Sequence, residues 1–359
     1  MSNENRVLKI ALVLRTSNVM GGAERRLIRI FSRIERADIL VCSLESAQKV
    51  RTTLTNYSGP KPECIICYDT MLDVIKKLWT EHYDYVTYIN SCGTMLFVPF
   101  IAALSGSKRL WLLVNIYMSN LQFNNLKDKT IFNIFRVFAT RVDCLYPSKI
   151  VKLQEKMRKN VRVTATPLPF TDTNIFLPMQ KEDTFVYASR LIEGKGALEF
   201  IDAILFCKNE MRERGYKAII CGEGKLKNEI IKRIELNEIK DLVDVKGYCE
   251  MEYIFPYAKV FMSLQKDENY PSQALLEAVS SGCWCIATDV GDTRLLVKTE
   301  FGELVNGTSI DISKAMIRAM DITDDEYRQV SANAREFAEA TFDLQSSIDY
   351  FNEIFNEIR

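Results

Sequence analysis

The stretch TFVYASRLIEGKGALEFIDAILFC, Thr184 to Cys207, reads as three pieces in a row. Thr184–Ala188 is a short, mostly apolar run of the kind that forms a buried strand. Ser189–Gly196 holds two glycines and reads as a loop, and Ala197–Cys207 spaces its apolar residues as a helix does. Strand, glycine turn and helix in that order make half of a βαβ unit, which points to a parallel sheet covered by helices.

The same alternation extends in both directions. Downstream come strand Lys217–Cys221, helix Leu226–Leu236, strands Val243–Lys246 and Val260–Leu264, helix Gln273–Ser280 and strand Cys285–Thr288. Upstream, the strand-like run Val7–Leu14 leads through the loop Arg15–Gly22 into a helix marked by Leu27, Ile28, Phe31 and Ile34. Strands Ile39–Leu44, Cys64–Tyr68, Tyr85–Ile89 and Leu110–Val114 follow, with helix Met71–Trp79 among them. Between the halves, residues 166–178 carry three prolines and a turn-forming cluster, which neither a helix nor a central strand tolerates.

The expected fold class is therefore α/β, with two doubly wound Rossmann-like domains facing across a cleft. The expected division is an N-terminal domain over residues 1–165, a linker over 166–178, a C-terminal domain over 179–340 and a final helix over 341–359. Apolar residues at 348, 351, 354, 355 and 358 give that helix one apolar face, expected to pack back towards the N-terminal domain.

Composition is that of an ordinary globular protein, with 47% apolar and 26% charged residues. The runs Met95–Leu104 and Leu110–Met118 are about half of the ~20 residues a membrane span needs. Polar Ser2–Asn5 and Arg6 precede any apolar segment, so no signal peptide is visible and a cytoplasmic location is expected. Net charge is zero but unevenly placed: residues 1–178 hold 25 Lys/Arg against 14 Asp/Glu, and residues 179–359 hold 22 against 33. The basic half suits an anionic acceptor or a membrane surface, and the opposite charges equally suit attraction between the two domains. Ten cysteines with a single histidine, His82, read as free thiols. Cys64 and Cys67 sit three apart in a strand and point to opposite faces, which makes a poor metal site. The acidic pairs Glu250/Glu252 and Asp324/Glu326 stand apart from the loops described next, so no metal is expected.

Those loops hold the candidate chemistry. Gly21 and Gly22 open the first helix, where backbone amides approach an anion, but the third glycine of the dinucleotide fingerprint is missing. After strand Thr184–Ala188, Arg190 offers a two-pronged guanidinium and Lys195 a point charge, a pairing matched to a diphosphate. Gly222, Glu223 and Gly247 follow the next strands, where a base or sugar could approach the backbone. In ENYPSQALLE, Glu268–Glu277, Pro271 suits a first helical turn and Ser272 an early cap. Glu277 lies beyond them among apolar neighbours and needs donors such as ribose hydroxyls.

Taken in order, these segments resemble the retaining GT-B glycosyltransferases, specifically glycosyltransferase family 4, over almost the whole chain. The carriers are GGAERRL, TPLPFTDTNIF, SRLIEGKG, CGEGKLKNEI, VKGY, ENYPSQALLEAVSSG and IATDVGDTR. The resemblance implies a metal-independent transferase that moves a sugar from a UDP-, GDP- or similar nucleotide sugar to a glycan or lipid-linked acceptor, with no cofactor. It implies that Arg190 and Lys195 neutralise the diphosphate leaving group and that Glu268 meets donor-sugar hydroxyls. It also implies that Tyr270, Ser272, Gln273, Glu277, Gly222, Glu223 and Gly247 hold the donor, with Gly21 and Gly22 closing over it. The leaving phosphate would take the acceptor proton.

The pattern is not followed throughout. Eight residues rather than seven separate Glu268 and Glu277, leaving Asn269 at the strict position. Asn115 stands where many relatives carry histidine near the donor sugar, and Asp292 replaces a glycine usual after Gly291. Asn115 and the altered acidic spacing sustain a second reading, a catalytically weak GT-B protein that binds nucleotide sugar as partner of another glycosyltransferase. On the acceptor side, Arg25, Arg26, Arg29 and Arg33 are expected to share a helix, and Lys149, Lys152, Lys156, Arg158 and Lys159 form a second basic run. With Phe132, Phe135 and Phe138 nearby, they suit a lipid-diphosphate acceptor or peripheral contact with the inner face of the plasma membrane; no nucleic-acid partner is expected.

Overall fold

The computed structural model describes residues 8–357 apart from 17–21, 44, 49, 52–61, 90–92, 124 and 167–169. The chain divides into two compact units, Met1–Pro167 with Leu344–Arg359, and Leu168–Asp343.

The first unit is built on seven strands: β1 (Ile10–Thr16), β2 (Ala37–Ser43), β3 (Ile65–Tyr68), β4 (Tyr85–Ile89), β5 (Lys108–Leu113), β6 (Arg141–Cys144) and β7 (Arg162–Ala165). They lie in the order β3-β2-β1-β4-β5-β6-β7, and every neighbouring pair is parallel. Ile10 to Leu14 of the central β1 are all buried, as an unbroken apolar run must be when both faces of its sheet are covered. β6 and β7 escaped the sequence reading because Arg141 and Asp143 interrupt β6. Both charges are buried and paired with distant chain: Arg141 pairs with Glu357, and Asp143 accepts hydrogen bonds from Thr166 and Tyr350.

Tyr350 belongs to the last helix, Leu344–Asn356, which is part of this unit. Its Phe351 ring lies 5.3 Å from Phe31 and its Phe355 ring 5.0 Å from Tyr85. The first helix, Gly22–Phe31, faces it, and Arg26 on that helix is buried close to Asp143. The expectation that Arg25, Arg26, Arg29 and Arg33 share a helix is corrected for Arg33, which lies beyond it and donates to the Arg29 carbonyl, and Arg26 is internal. Phe132 and Phe135 are also core, stacked edge-on against Trp111.

The second unit holds β8 (Glu182–Ala188), β9 (Lys217–Cys221), β10 (Val243–Gly247), β11 (Ala258–Ser263), β12 (Trp284–Thr288) and β13 (Gly302–Val305). The order β10-β9-β8-β11-β12-β13 is that of the doubly wound dinucleotide-binding fold, and again every pair is parallel. Residues 170–178 form neither helix nor strand, yet they are held against this unit. The Phe176 carbonyl accepts from Arg335 and from Ser280 Oγ, and Thr171 Oγ1 from Gln273.

Candidate active site

In a parallel sheet all strands end on one edge, and ligands bind in the crevice outside those ends where the strand order reverses. In the second unit the reversal lies between β8 and β11, and the loops that follow them carry most of the candidate residues.

The loop after β8 is folded tightly onto its neighbours. Ser189 N donates to Cys221 O at 3.1 Å and Leu191 N to Glu223 O at 2.9 Å, while Gly194 O accepts from Lys266 N at 2.9 Å. Gly196 is needed where this loop enters helix Ala197–Glu213. It has φ +85°, and a Cβ there would fall 1.9 Å from the Leu264 carbonyl oxygen. Gly222 is required in the same way, for its Cβ would lie 1.9 Å from Ser189 O.

This packing fixes where the two cations go. Arg190 is exposed, and no hydrogen bond or ion pair engages its guanidinium among the described residues. Lys195 is half-buried, with Nζ 3.4 Å from Gln265 Oε1. Burial and the positive charge of Arg190 hold the Lys195 amine below the ordinary lysine range, with Asp267 opposing the shift. An ammonium group that is partly desolvated beside another cation gains from a polyanion, which is the chemistry of a diphosphate cradle.

Gln265 was not singled out from the sequence. It follows β11, is buried, and its Oε1 also accepts from Asn269 Nδ2 at 3.1 Å. Its Nε2 donates to Ser263 Oγ at 3.1 Å and its carbonyl accepts from Thr288 Oγ1 at 2.5 Å. A polar side chain just past an apolar strand was the available signal. Glu268 Oε1 accepts from the backbone N–H of Asp292 at 2.9 Å, and its carboxylate lies where a Cβ on Gly291 would have to be. That supplies a structural account of the Gly291–Asp292 turn: it receives the Glu268 side chain.

Two expectations about ENYPSQALLE are corrected. The helix runs Gln273–Ser280, so Pro271 lies outside it, joined to Tyr270 by a cis peptide bond. Ser272 occupies the N-cap, but its hydroxyl makes no capping bond to the first amides. Ser272 and Tyr270 are buried and Glu277 is half-buried on the helix. Gln273 Nε2 is engaged by Thr171 Oγ1 at 3.1 Å. Glu223 is exposed and paired with Lys227 at 2.6 Å, its carboxylate resting against Gly247. All of these residues sit at the strand-end edge of the second unit.

The remaining candidates belong to the first unit. Gly21 lies outside the described residues, and Gly22 is the first residue of the helix after β1. Asn115 follows β5 and caps the short helix Ile116–Ser119, its Oδ1 accepting from Met118 N at 3.1 Å. His82 ends helix Met71–Glu81 with φ +47°. Among the described residues, no group of three or more His, Cys, Asp and Glu side chains could hold a metal ion, and the described cysteines are free thiols.

Residues 171–337, the span that contains the second unit's candidates, match the family model described as Glycosyl transferases group 1. The match lies wholly within the second unit. The chain's overall architecture is the GT-B fold: Anabaena HepE, solved in complex with UDP, superposes with a TM-score of 0.80 at 18% identity, covering 98% of this chain and 100% of that one. A Campylobacter jejuni GalNAc-alpha-(1->4)-GalNAc-alpha-(1->3)-diNAcBac-PP-undecaprenol alpha-1,4-N-acetyl-D-galactosaminyltransferase is 24% identical over 50% of this chain and 50% of its own length. This chain therefore spans about half of that relative. An Escherichia coli UDP-Gal:alpha-D-GlcNAc-diphosphoundecaprenol alpha-1,3-galactosyltransferase is also 24% identical, over 80% of this chain and 78% of its own. The matched span thus holds Arg190, Lys195 and the Glu268–Glu277 segment together at the strand ends of one sheet.

Proposed function

We propose that the protein is a retaining glycosyltransferase that moves a sugar from a UDP-sugar to a lipid-linked glycan, at the cytoplasmic face of a membrane. The observation that carries this reading is the pair Arg190 and Lys195, one exposed and unengaged, the other half-buried and held by Gln265. UDP as the leaving group is supported by the HepE complexes with UDP and UDP-glucose and by the donor named for the E. coli relative. A lipid-linked acceptor is supported by the undecaprenol-linked substrates in the names of both bacterial relatives.

In the proposed reaction, the bond between the anomeric carbon and the phosphate oxygen breaks and a bond to the acceptor oxygen forms on the same face. The acceptor proton passes to the departing phosphate, so no protein base is required. Arg190 and Lys195 supply the positive charge that a metal would otherwise bring to the diphosphate. Glu277 holds the ribose hydroxyls, and the free amides at the start of helix Gln273–Ser280, which Ser272 leaves uncapped, face the phosphate.

The test is thermal-shift and donor-hydrolysis screening against UDP-, GDP-, ADP- and dTDP-sugars in the presence of a chelator. Wild type should be stabilised by one donor and release its nucleotide slowly, and Lys195→Ala and Glu277→Gln should lose both responses. Binding without turnover, even with undecaprenol-linked acceptors, would favour the weakly catalytic partner suggested by Asn115 and the shifted acidic spacing. A requirement for a divalent metal would contradict the charge roles given to Arg190 and Lys195.

A further inference from the structure

Three helices of the first unit, Met71–Glu81, Phe97–Leu104 and Leu126–Phe138, lie side by side. Their inward positions are apolar and buried, as in Val74 and Leu78, Val98 and Ala102, Phe132 and Phe135. Their outward positions should then be polar. Several are not: Leu72, Trp79, Phe97, Phe100, Leu104 and Val137 keep between 44% and 75% of their surface exposed. Leu72 and Trp79 stand two turns apart on one helix, and Phe97, Phe100 and Leu104 line the next. Phe100 meets Phe138 of the third edge-on at 5.8 Å. An exposed apolar face of this extent on a folded unit marks a docking site.

Its border states what docks there. Lys76 projects between Leu72 and Trp79, and Lys127 and Lys129 are exposed on the third helix. Beside that helix runs the basic segment with Lys152, Lys156, Arg158 and Lys159, all exposed. It is tied on by hydrogen bonds from Arg136 to the Lys156 carbonyl and from Arg158 to the Ala139 carbonyl. A second copy of this face would bring two basic borders together, which disfavours self-association. Apolar side chains flanked by cations that outnumber the exposed acids Asp73 and Glu155 match a bilayer with anionic headgroups, the former entering the acyl boundary and the latter pairing with phosphates. We propose that this three-helix face docks the protein on an anionic lipid surface. The identity of the occupant rests on the proposed lipid-linked acceptor, while the location of the face rests on exposure and charge alone.

The experiment is vesicle co-sedimentation of the full chain with phosphatidylcholine, with and without phosphatidylglycerol. Wild type, Phe97→Ser/Leu104→Ser and Lys152→Glu/Lys156→Glu are compared, each checked for UDP-sugar thermal shift and donor hydrolysis. Wild type should sediment with the anionic vesicles and be released by salt. Each double variant should partition about tenfold less while keeping its donor responses. As a readout independent of the double variants, brominated lipid should quench tryptophan fluorescence of wild type, and Trp79→Phe should abolish the quenching. Absence of wild-type binding, variants that bind as well as wild type, or a dimer that Phe97→Ser/Leu104→Ser dissociates would each overturn the proposal. Vesicle binding by a chain that ignores every donor would leave this surface standing and sink the transferase reading instead.

Discussion

Lys195 Nζ and Gln265 Oε1 stand 3.4 Å apart, and the same oxygen accepts from Asn269 Nδ2 at 3.1 Å. Gln265 therefore joins the loop after β8 to the loop after β11, and sets the direction in which the Lys195 amine is presented. Gln265→Leu should weaken donor affinity about tenfold, the scale of one lost hydrogen bond to a charged group. Gln265→Glu should weaken it further, because its carboxylate competes with the diphosphate for Lys195. Isothermal titration with UDP reads both, and unchanged affinity in Gln265→Leu would remove Gln265 from the site.

The depressed basicity of Lys195 predicts a pH limb. The charged amine is the form that attracts diphosphate, so affinity is full below its pKa and falls as pH rises through it. Burial and Arg190 place that fall below the ordinary lysine range. UDP affinity measured from about pH 7 to about pH 10 should decline on the alkaline side, and Lys195→Arg should flatten the decline, because a guanidinium stays charged there.

Glu268 accepts from the Asp292 amide through a side-chain oxygen that glutamine retains. Glu268→Gln should keep the Gly291–Asp292 turn in place and Glu268→Ala should not. The alanine variant is expected to lose about 1–3 kcal/mol of stability, the cost of a partly buried amide left unpaired, and the glutamine variant much less. Chemical denaturation distinguishes them. Equal losses would mean that the charge, rather than the hydrogen bond, holds the turn.

Gly196→Ala should disturb the cation pair from outside the site. The new Cβ would meet the Leu264 carbonyl at a φ of +85°, which an L side chain rarely adopts. Strain and clash together are expected to cost more than about 2 kcal/mol. UDP affinity should fall with it, since Lys195 is the preceding residue.

In the first unit, Phe351→Ala removes a ring packed between Phe31 and Phe355, and should cost about 3–5 kcal/mol. The readout is the denaturation midpoint of the full chain. A change below about 1 kcal/mol would mean that the last helix adds little to the unit.

The sequence by itself determined the alternation of strands and helices and the loops that carry charge. Apolar runs such as Ile10–Leu14 and Phe185–Tyr187 have one stable fate in a helix-covered parallel sheet, and glycines such as Gly196 and Gly222 mark turns whose backbones crowd a neighbour. These are local signals: periodicity, run length and the absence of a side chain. Strand β6 was not legible, because Arg141 and Asp143 look exposed until Glu357, Thr166 and Tyr350 arrive from elsewhere in the chain. The burial of Arg26, the role of Gln265 at Lys195, the meeting of Glu268 with Asp292 and the apolar outer face of three helices were likewise decided only by the tertiary structure. Whether a polar group is paired, or an apolar one covered, depends on partners brought close by packing rather than by sequence neighbourhood.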